Sequence, residues 1–191
     1  ITSNFNTQYR TVTPNDYTVR ALSLPSKYGK LAKVYAEKAK ANSNSGANVD
    51  MYVLAFNNNG NLTTANASLK QNLSTYLSQF RTIGDSIAIK NAFIINIGIN
   101  FEIITLPNYN NSEVLRKCIA SLQSYFNILN WQINEPIIYR DLTLLLDKIE
   151  GVQTVKSLEI VNKADGSYSQ YSYDVKGATV NGVLYPSIDP M

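Results

Sequence analysis

The spacing of hydrophobic and polar positions along the chain predicts short strands alternating with helices. The clearest pattern runs from Ile95 to Ile103, where every second residue is apolar and the residues between are polar or glycine. Strict alternation of this kind is typical of a long antiparallel strand with one buried face. Alternation, or runs of β-branched and aromatic residues, predicts further strands at 31–39, 49–56, 87–89 and 152–161.

Apolar residues at helical spacing predict three longer helices, at 67–80, 112–126 and 138–149. The helix at 112–126 is expected to turn one stripe inward, made of Leu115, Cys118, Ile119, Leu122 and Tyr125. The inward stripe of the helix at 138–149 is expected to be Leu142, Leu145 and Ile149. Clusters of Asn, Ser and Gly predict loops at 42–48 and 57–61, and a longer loop is expected at 163–180.

A short helix near the start of the chain has an unusually complete set of start signals. Thr13 fits the N-cap, Pro14 the first helical position and Asp16 the third, as in a capping box. Val12 and Tyr17 have the spacing of a hydrophobic staple. Because a helix this short is not stable alone, we expect it to dock at a fixed angle on a larger body.

These elements predict an α+β fold of two small, consecutive, sandwich-like units with mostly antiparallel sheets. The first unit, at 1–90, has the order β-β-α-β after the short leading helix. The second, at 91–191, has the order β-α-α-β and a tyrosine-rich β/loop tail. The chain shows no internal sequence repeat.

Composition and charge exclude several classes of function. The 191 residues are 45% hydrophobic, 16% charged and carry a net charge of +3, and the basic residues are scattered rather than clustered in a stripe. The densest basic stretch, at 27–40, is interrupted by Glu37 and is interpreted as a solvated strand edge. No apolar run approaches the roughly 18 residues of a membrane span. Membrane and small-molecule partners are therefore not expected.

The residues also offer little catalytic chemistry. The chain has no histidine, which excludes Ser-His-Asp and Cys-His catalysis and the usual zinc sites. Its single cysteine, Cys118, falls on a helical apolar stripe and is interpreted as a small core residue. Glu102 has no second carboxylate near it in the strand pattern, and Asp141 has a structural reason at a helix N-terminus. We therefore expect no enzyme activity, no metal and no cofactor.

Tyrosine is abundant, with 13 residues, and part of it concentrates in the tail. Tyrosine and tryptophan are enriched at protein interfaces because they bury a large area and keep one polar end. The alternative is that the tyrosines cap their own sheet edge and that the tryptophan anchors the core. The candidate interface residues are Trp131, Tyr139, Arg140, Tyr168, Tyr171 and Tyr173.

Several segments, taken in order, resemble a known family. They are RTVTPNDYTVRALSLPSKYGKLAKVYAEKA, IINIGINFEIITLPNYN, LNWQINEPI, GVQTVKSLEIVNK and NGVLYPSIDPM. Together they are similar to the C-terminal part of the gene-product-six baseplate wedge subunits of T-even-type contractile phages, and more loosely to the baseplate J-like family. The similarity spans essentially the whole chain, which is accordingly interpreted as a fragment of a longer protein.

This resemblance implies a structural virion protein of the tail baseplate, assembled in the host bacterium. In that family, pairs of subunits join into a ring around the tail hub. The ring holds the wedges together and rearranges when the sheath contracts. The implied partners are a second copy of the chain, as a homodimer within the ring, and other wedge proteins.

Two other functions remain open at this point. A host-surface or carbohydrate-binding tail protein would need a cleft lined by aromatic side chains and paired carboxylates. A nucleic-acid-binding module is suggested by a pI of about 8.8 and the β-α-β order, and it would lose affinity steeply as salt rises. Nucleic acid is not expected as a partner, because the basic residues form no stripe or block.

Overall fold

The computed structural model describes residues 10–39, 48–57, 59–164 and 172–186. The predicted α+β class is confirmed: the described residues contain four α-helices and mostly antiparallel sheets. The chain divides into two compact units, residues 1–94 and 95–191. Compactness does not test whether each unit is an independent domain, so the domain division at residue 90 stays a prediction.

The first unit follows the predicted order with one added strand. Its elements are α1 (Pro14–Leu22), a 3-10 turn (Ser26–Tyr28), β1 (Leu31–Lys38), β2 (Val49–Phe56), β3 (Leu62–Thr64), α2 (Ala67–Ser78) and β4 (Ile87–Asn91). The unpredicted strand is β3, which is too short to show a periodicity. The predicted loop at 42–48 lies outside the described residues, except for Asn48.

Strand β2 is the centre of the first sheet. One edge of β2 pairs with β1, and the other edge pairs with antiparallel β3 at Leu54–Phe56 and with parallel β4 at Val49–Val53. Helix α2 lies within the crossover that a parallel connection requires. All residues of β2 except Phe56 are buried, as expected of a strand covered on both faces.

The hydrophobic core of the first unit joins both helices to one face of this sheet. Its fully buried members include Tyr17 of α1, Met51 of β2, and Leu73 and Leu77 of α2. The Tyr17 hydroxyl donates to Asp85 Oδ2 at 3.1 Å, so its polar end has a partner. Helix α1 therefore docks on the unit through its buried face, as its start signals indicated.

The residues that precede α1 do not form the hydrophobic staple predicted from the sequence. Val12 is 72% exposed while Tyr17 is fully buried, so the two do not form a buried pair. Thr11 points inward instead, because neighbouring residues of an extended segment face opposite sides. Its backbone N–H and its hydroxyl both donate to the Phe80 carbonyl oxygen, at 2.9 and 3.0 Å.

The second unit contains the predicted β-α-α-β order and a small additional sheet. Its elements are β5 (Ile97–Thr105), α3 (Asn111–Tyr125), a 3-10 turn (Ile128–Asn130), β6 (Ile137–Ile138), α4 (Tyr139–Asp147), β7 (Val152–Asn162), β8 (Thr179–Val180) and β9 (Val183–Leu184). Strands β5 and β7 pair antiparallel. The small sheet has the order β6-β9-β8.

The buried stripe of α3 is rotated relative to the sequence prediction. Val114, Cys118 and Leu122 are buried, whereas Leu115 and Ile119 are 45% and 44% exposed. Two apolar stripes overlap on this helix, and both contain Cys118 and Leu122. The buried stripe brings Val114 close to Gly151, where an added Cβ would lie 2.6 Å from Val114 Cγ2.

The last two residues of the predicted loop at 163–180 form strand β8 of the tail. Strands β8 and β9 form a hairpin across Asn181 and Gly182, both with positive φ (52° and 77°). Asn-Gly at the two central positions is the preferred sequence for the tight turn that matches strand twist. Residues 165–171 of the predicted loop lie outside the described residues.

Candidate interaction groove

Of the six predicted interface residues, Trp131, Tyr139, Arg140 and Tyr173 lie within the described residues. Tyr168 and Tyr171 lie outside the described residues. Tyr173 packs against the core of the second unit, and its hydroxyl donates to the Tyr185 carbonyl oxygen at 3.0 Å. Tyr173 therefore holds the tail against its own unit, which is the structural alternative considered for it.

Trp131 is the centre of an aromatic cluster at the end of α3. Its ring stacks on Phe126 at 5.4 Å between centroids and meets Tyr125 edge-on at 5.4 Å. The indole N–H donates to the Tyr125 carbonyl oxygen at 2.8 Å, so the polar end of the ring is satisfied locally. Trp131 is half-buried against the core and keeps part of its surface accessible.

Tyr139 and Arg140 open helix α4 but have different surroundings. Tyr139 is partly buried against the second core, and its backbone N–H donates to the Gly182 carbonyl oxygen at 3.0 Å. Arg140 is exposed. Whether any of the six predicted residues contacts a partner stays a prediction.

The structure adds a feature that the sequence prediction did not contain, an open groove beside Trp131. It has a volume of about 410 Å³. Three segments converge on it: the end of α3, the turn that follows Trp131, and the start of α4. The lining residues are Tyr125, Asn130, Trp131, Glu135, Pro136, Ile138 and Asp141.

The turn between Trp131 and β6 places Glu135 at this groove. Asn134 has a positive φ of 65°, a conformation that asparagine adopts more readily than most residues. The Glu135 Oε2 atom accepts the Gln132 backbone N–H at 2.7 Å, which closes the turn. Pro136 then leads into β6, and Asp141 follows in the first turn of α4.

Negative charge dominates the groove. Burial raises the pKa of the Tyr125 phenol, and the carboxylates of Asp141 and Glu135 raise this pKa further. None of the seven lining residues is Lys or Arg. Over the part of the chain that the structure describes, neither Glu135 nor Asp141 forms an ion pair. The two carboxylates therefore present uncompensated charge beside aromatic and aliphatic surface.

The other residues considered for catalysis, Glu102 and Cys118, lie in surroundings that give them structural roles. Glu102 pairs with Lys156 at 2.9 Å, with both side chains mostly in solvent, as expected for a solvated strand face. Cys118 is fully buried, and burial raises the pKa of its thiol. Among the described residues, no group of three or more potential ligands could hold a metal ion. No helix in the described ranges has the length and apolar character needed to span a membrane.

Comparison with known proteins identifies the architecture. No protein-family model and no curated protein matches the chain. A solved structure does match: a chain of the anti-feeding prophage (AFP) baseplate, determined by cryo-EM with six-fold symmetrisation, superposes with a TM-score of 0.62 over 84% of this chain. The fold is similar to that of a baseplate chain. Sequence identity is only 12%, and this chain spans about a third of that chain's length, 35%. What the two share is therefore the fold.

Sequence reasoning missed the groove because its members belong to different predicted elements. Glu135 belongs to no predicted helix or strand, and Asp141 is explained by its place at a helix N-terminus. Trp131, Glu135, Pro136 and Asp141 fall within eleven consecutive residues, but this spacing alone does not bring their side chains together.

Proposed function

We propose that this chain is part of a structural, non-enzymatic subunit of a contractile-tail baseplate. The single observation that carries the proposal is the similarity of its fold to a chain of the AFP baseplate, over 84% of this chain. At 12% identity the similarity concerns the backbone architecture. The independent sequence resemblance to baseplate wedge subunits points to the same kind of assembly.

The finer form of this proposal follows the sequence resemblance. The chain corresponds to the C-terminal part of a wedge subunit of the T-even type, located in the tail baseplate of a virion. It self-associates as a homodimer and contacts neighbouring wedge proteins within a ring around the tail hub. That ring rearranges when the sheath contracts.

The surroundings of the reactive side chains support a structural role. Cys118 is fully buried with a raised thiol pKa, which opposes formation of the nucleophilic thiolate. Glu102 is held by Lys156 on an exposed strand face rather than in a cleft. The apolar residues of the described helices and strands pack into two separate hydrophobic cores, one for each unit.

Labelling of intact particles tests the proposal. Antibodies raised against this chain should bind tail particles from the producing strain at the baseplate end, as seen by immunogold electron microscopy. Particles from a strain lacking the coding region should be unlabelled or incompletely assembled. Labelling along the sheath, or only of material outside the particles, would refute the assignment.

A second function is favoured by one observation, the groove itself. Aromatic side chains beside two carboxylates are the features expected of a carbohydrate-binding tail protein. Trp131 is the only tryptophan of the chain and lines the groove, so its fluorescence reports on ligands there directly. A saturable change on titration with host cell-surface oligosaccharides would support this alternative, and an unchanged spectrum would exclude it for the sugars tested.

A further inference from the structure

The two units carry opposite net charge. Residues 1–94 contain ten Lys and Arg against four Asp and Glu, and residues 95–191 contain seven against ten. The first unit is therefore at +6 and the second at −3, which together give the overall +3. A single net charge hides this division. Opposite charges on two parts of one chain favour contacts between unlike units of neighbouring copies.

The groove beside Trp131 places two of the ten acidic residues of the second unit next to apolar surface. Glu135 and Asp141 supply the carboxylates, Ile138 is 38% exposed, and Tyr125 and Trp131 supply aromatic surface. Lysine and arginine match this combination, because their aliphatic stems cover apolar surface while their charged ends reach carboxylates.

The groove is less suited to a sugar. A sugar ring would need an exposed face of an aromatic side chain on which to stack. Trp131 is stacked by Phe126, with an angle of only 9° between the ring planes, and Tyr125 abuts it edge-on. The aromatic surface is therefore committed in large part to the cluster, whereas the two carboxylates have no cationic partner in the described ranges.

The first unit presents a segment with the required chemistry. The turn after α1 is exposed from Pro25 through Tyr28, and it carries Lys27 and Lys30 on either side of an accessible aromatic ring. The Lys27 ammonium lies 4.7 Å from the centre of the Tyr28 ring. No carboxylate falls between Pro25 and Lys30. Both lysines are exposed, and no ion pair within the described part of the chain involves them.

We propose that the groove formed by Glu135, Asp141 and Trp131 receives the Lys27–Lys30 turn of a second copy of this chain. Each copy offers one turn and one groove. We place this contact between neighbouring copies around the ring, in addition to the contact that forms the homodimer, because one-way contacts between unlike surfaces can close into rings. This inference rests on the proposed scaffold role, for which it names a surface and a partner.

A fluorescence titration tests the contact with the protein itself. Wild-type chain at low concentration serves as the host, and the Trp131→Phe variant, which lacks tryptophan, serves as the titrant. Insertion of the titrant's turn should shift the emission of the host's Trp131 and protect it from quenching by acrylamide. The titrant concentration that gives half of the fluorescence change should increase as the salt concentration rises, because the contact pairs exposed charges.

Two pairs of variants locate the contact. Host variant Glu135→Gln/Asp141→Asn and, separately, titrant variant Lys27→Gln/Lys30→Gln should each weaken the association about tenfold or more. The matched controls are Glu102→Gln/Glu159→Gln in the host and Arg10→Gln/Lys38→Gln in the titrant, which remove the same number of exposed charges elsewhere. Both controls should leave the midpoint within about twofold.

Three results would overturn the proposal: no spectral response, equal weakening by the controls, or full binding by either groove or turn variant. Circular dichroism spectra and urea midpoints matching wild type would show that the variants fold. Immunogold labelling of particles does not depend on this contact. If the titration shows no binding but the antibodies label the baseplate, only the contact is rejected. If the particles are unlabelled, the scaffold role is rejected.

Discussion

Thr13 and Asp16 cap each other at the start of α1. The Thr13 hydroxyl accepts the Asp16 backbone N–H at 3.3 Å, and the Asp16 carboxylate accepts the Thr13 backbone N–H at 2.9 Å. The same carboxylate oxygen accepts the Val12 N–H at 3.0 Å. Aspartate thus performs the role of the longer glutamate of a capping box and also ties down the residue before the cap.

Removing the Thr13 hydroxyl should destabilise the first unit by about 1 kcal/mol, since the Asp16 N–H at the helix start loses its side-chain acceptor. Urea denaturation of Thr13→Ala, followed by circular dichroism, measures this. The control is Thr75→Ala, on the exposed face of α2, which should be neutral or slightly stabilising because alanine favours a helix interior. Equal effects of the two substitutions would show that the cap contributes nothing.

The capping carboxylate should also make stability depend on pH. Burial alone would raise the pKa of Asp16, but hydrogen bonds from Thr13 and Val12 and the charge of Arg20 outweigh it, so the pKa lies below its ordinary value of 3.8. A group with a lowered folded-state pKa stabilises the fold above its unfolded pKa and loses this contribution as pH falls through the folded value.

Asp16→Asn should therefore be less stable than wild type at neutral pH, and the difference should shrink as the pH falls below about 4. Thermal melts of both proteins between neutral pH and strongly acidic conditions provide the comparison. Asp174→Asn, at an exposed turn of the second unit, controls for a general effect of removing one negative charge. A constant difference across the whole range would contradict the linkage.

The sequence predicted those elements in which the local pattern of apolar residues matches the residues that are buried in the structure. Strand β2 was predicted with its observed bounds, because every residue except Asp50 is apolar; Asp50 is buried and pairs with Lys90 at 2.9 Å. The bounds of helix α3 were predicted within one residue, but its buried stripe was not. Two apolar stripes overlap on this helix, and only the residues that pack against it determine which one is buried. The hairpin at Asn181 and Gly182 had a local signal that was overlooked, within a tail judged by its polarity.

The groove could not be predicted in the same way. Its walls come from α3, a turn and α4, and their convergence depends on how the two helices pack on the second sheet. Trp131 packs partly against the second core, and its role at an interface stays a prediction. Its carboxylate neighbours gain significance only once the turn at Asn134 is known.

Gly151 should be the more sensitive of two glycines with positive φ. A Cβ added there would lie 2.6 Å from Val114 Cγ2 and 2.8 Å from Tyr109 Cδ1, whereas one added at Gly182 would meet nothing within 4 Å. Both substitutions to alanine strain the backbone, at a cost of about 1–2 kcal/mol. Gly151→Ala should cost about 1–3 kcal/mol more, because the packing of Val114 must change.

Differential scanning calorimetry of the two variants measures this contrast, with each glycine serving as the control for the other. Val114→Ala combined with Gly151→Ala should recover part of the loss, since the smaller side chain makes room. Indistinguishable melting temperatures for Gly151→Ala and Gly182→Ala would show that Val114 does not press against position 151.

The rotated stripe of α3 gives another contrast within one helix. Leu122 is 7% exposed and Leu115 is 45% exposed. Leu122→Ala should cost about 2–5 kcal/mol through lost burial and a new cavity. Leu115→Ala should cost less than about 1 kcal/mol. Chemical denaturation of both variants decides the orientation of the helix, and the reverse order would restore the stripe predicted from sequence.

Thr11 has a mechanical consequence for tension applied to the chain ahead of it. Three hydrogen bonds connect Thr11 to the segment after α2: two reach the Phe80 carbonyl oxygen, and one comes from the Thr82 hydroxyl at 3.1 Å. Because Thr11 precedes α1 in the chain, tension applied ahead of Thr11 loads these bonds before it reaches the helix. Stretching the first unit from its N-terminal side should therefore detach Thr11 before α1 unwinds.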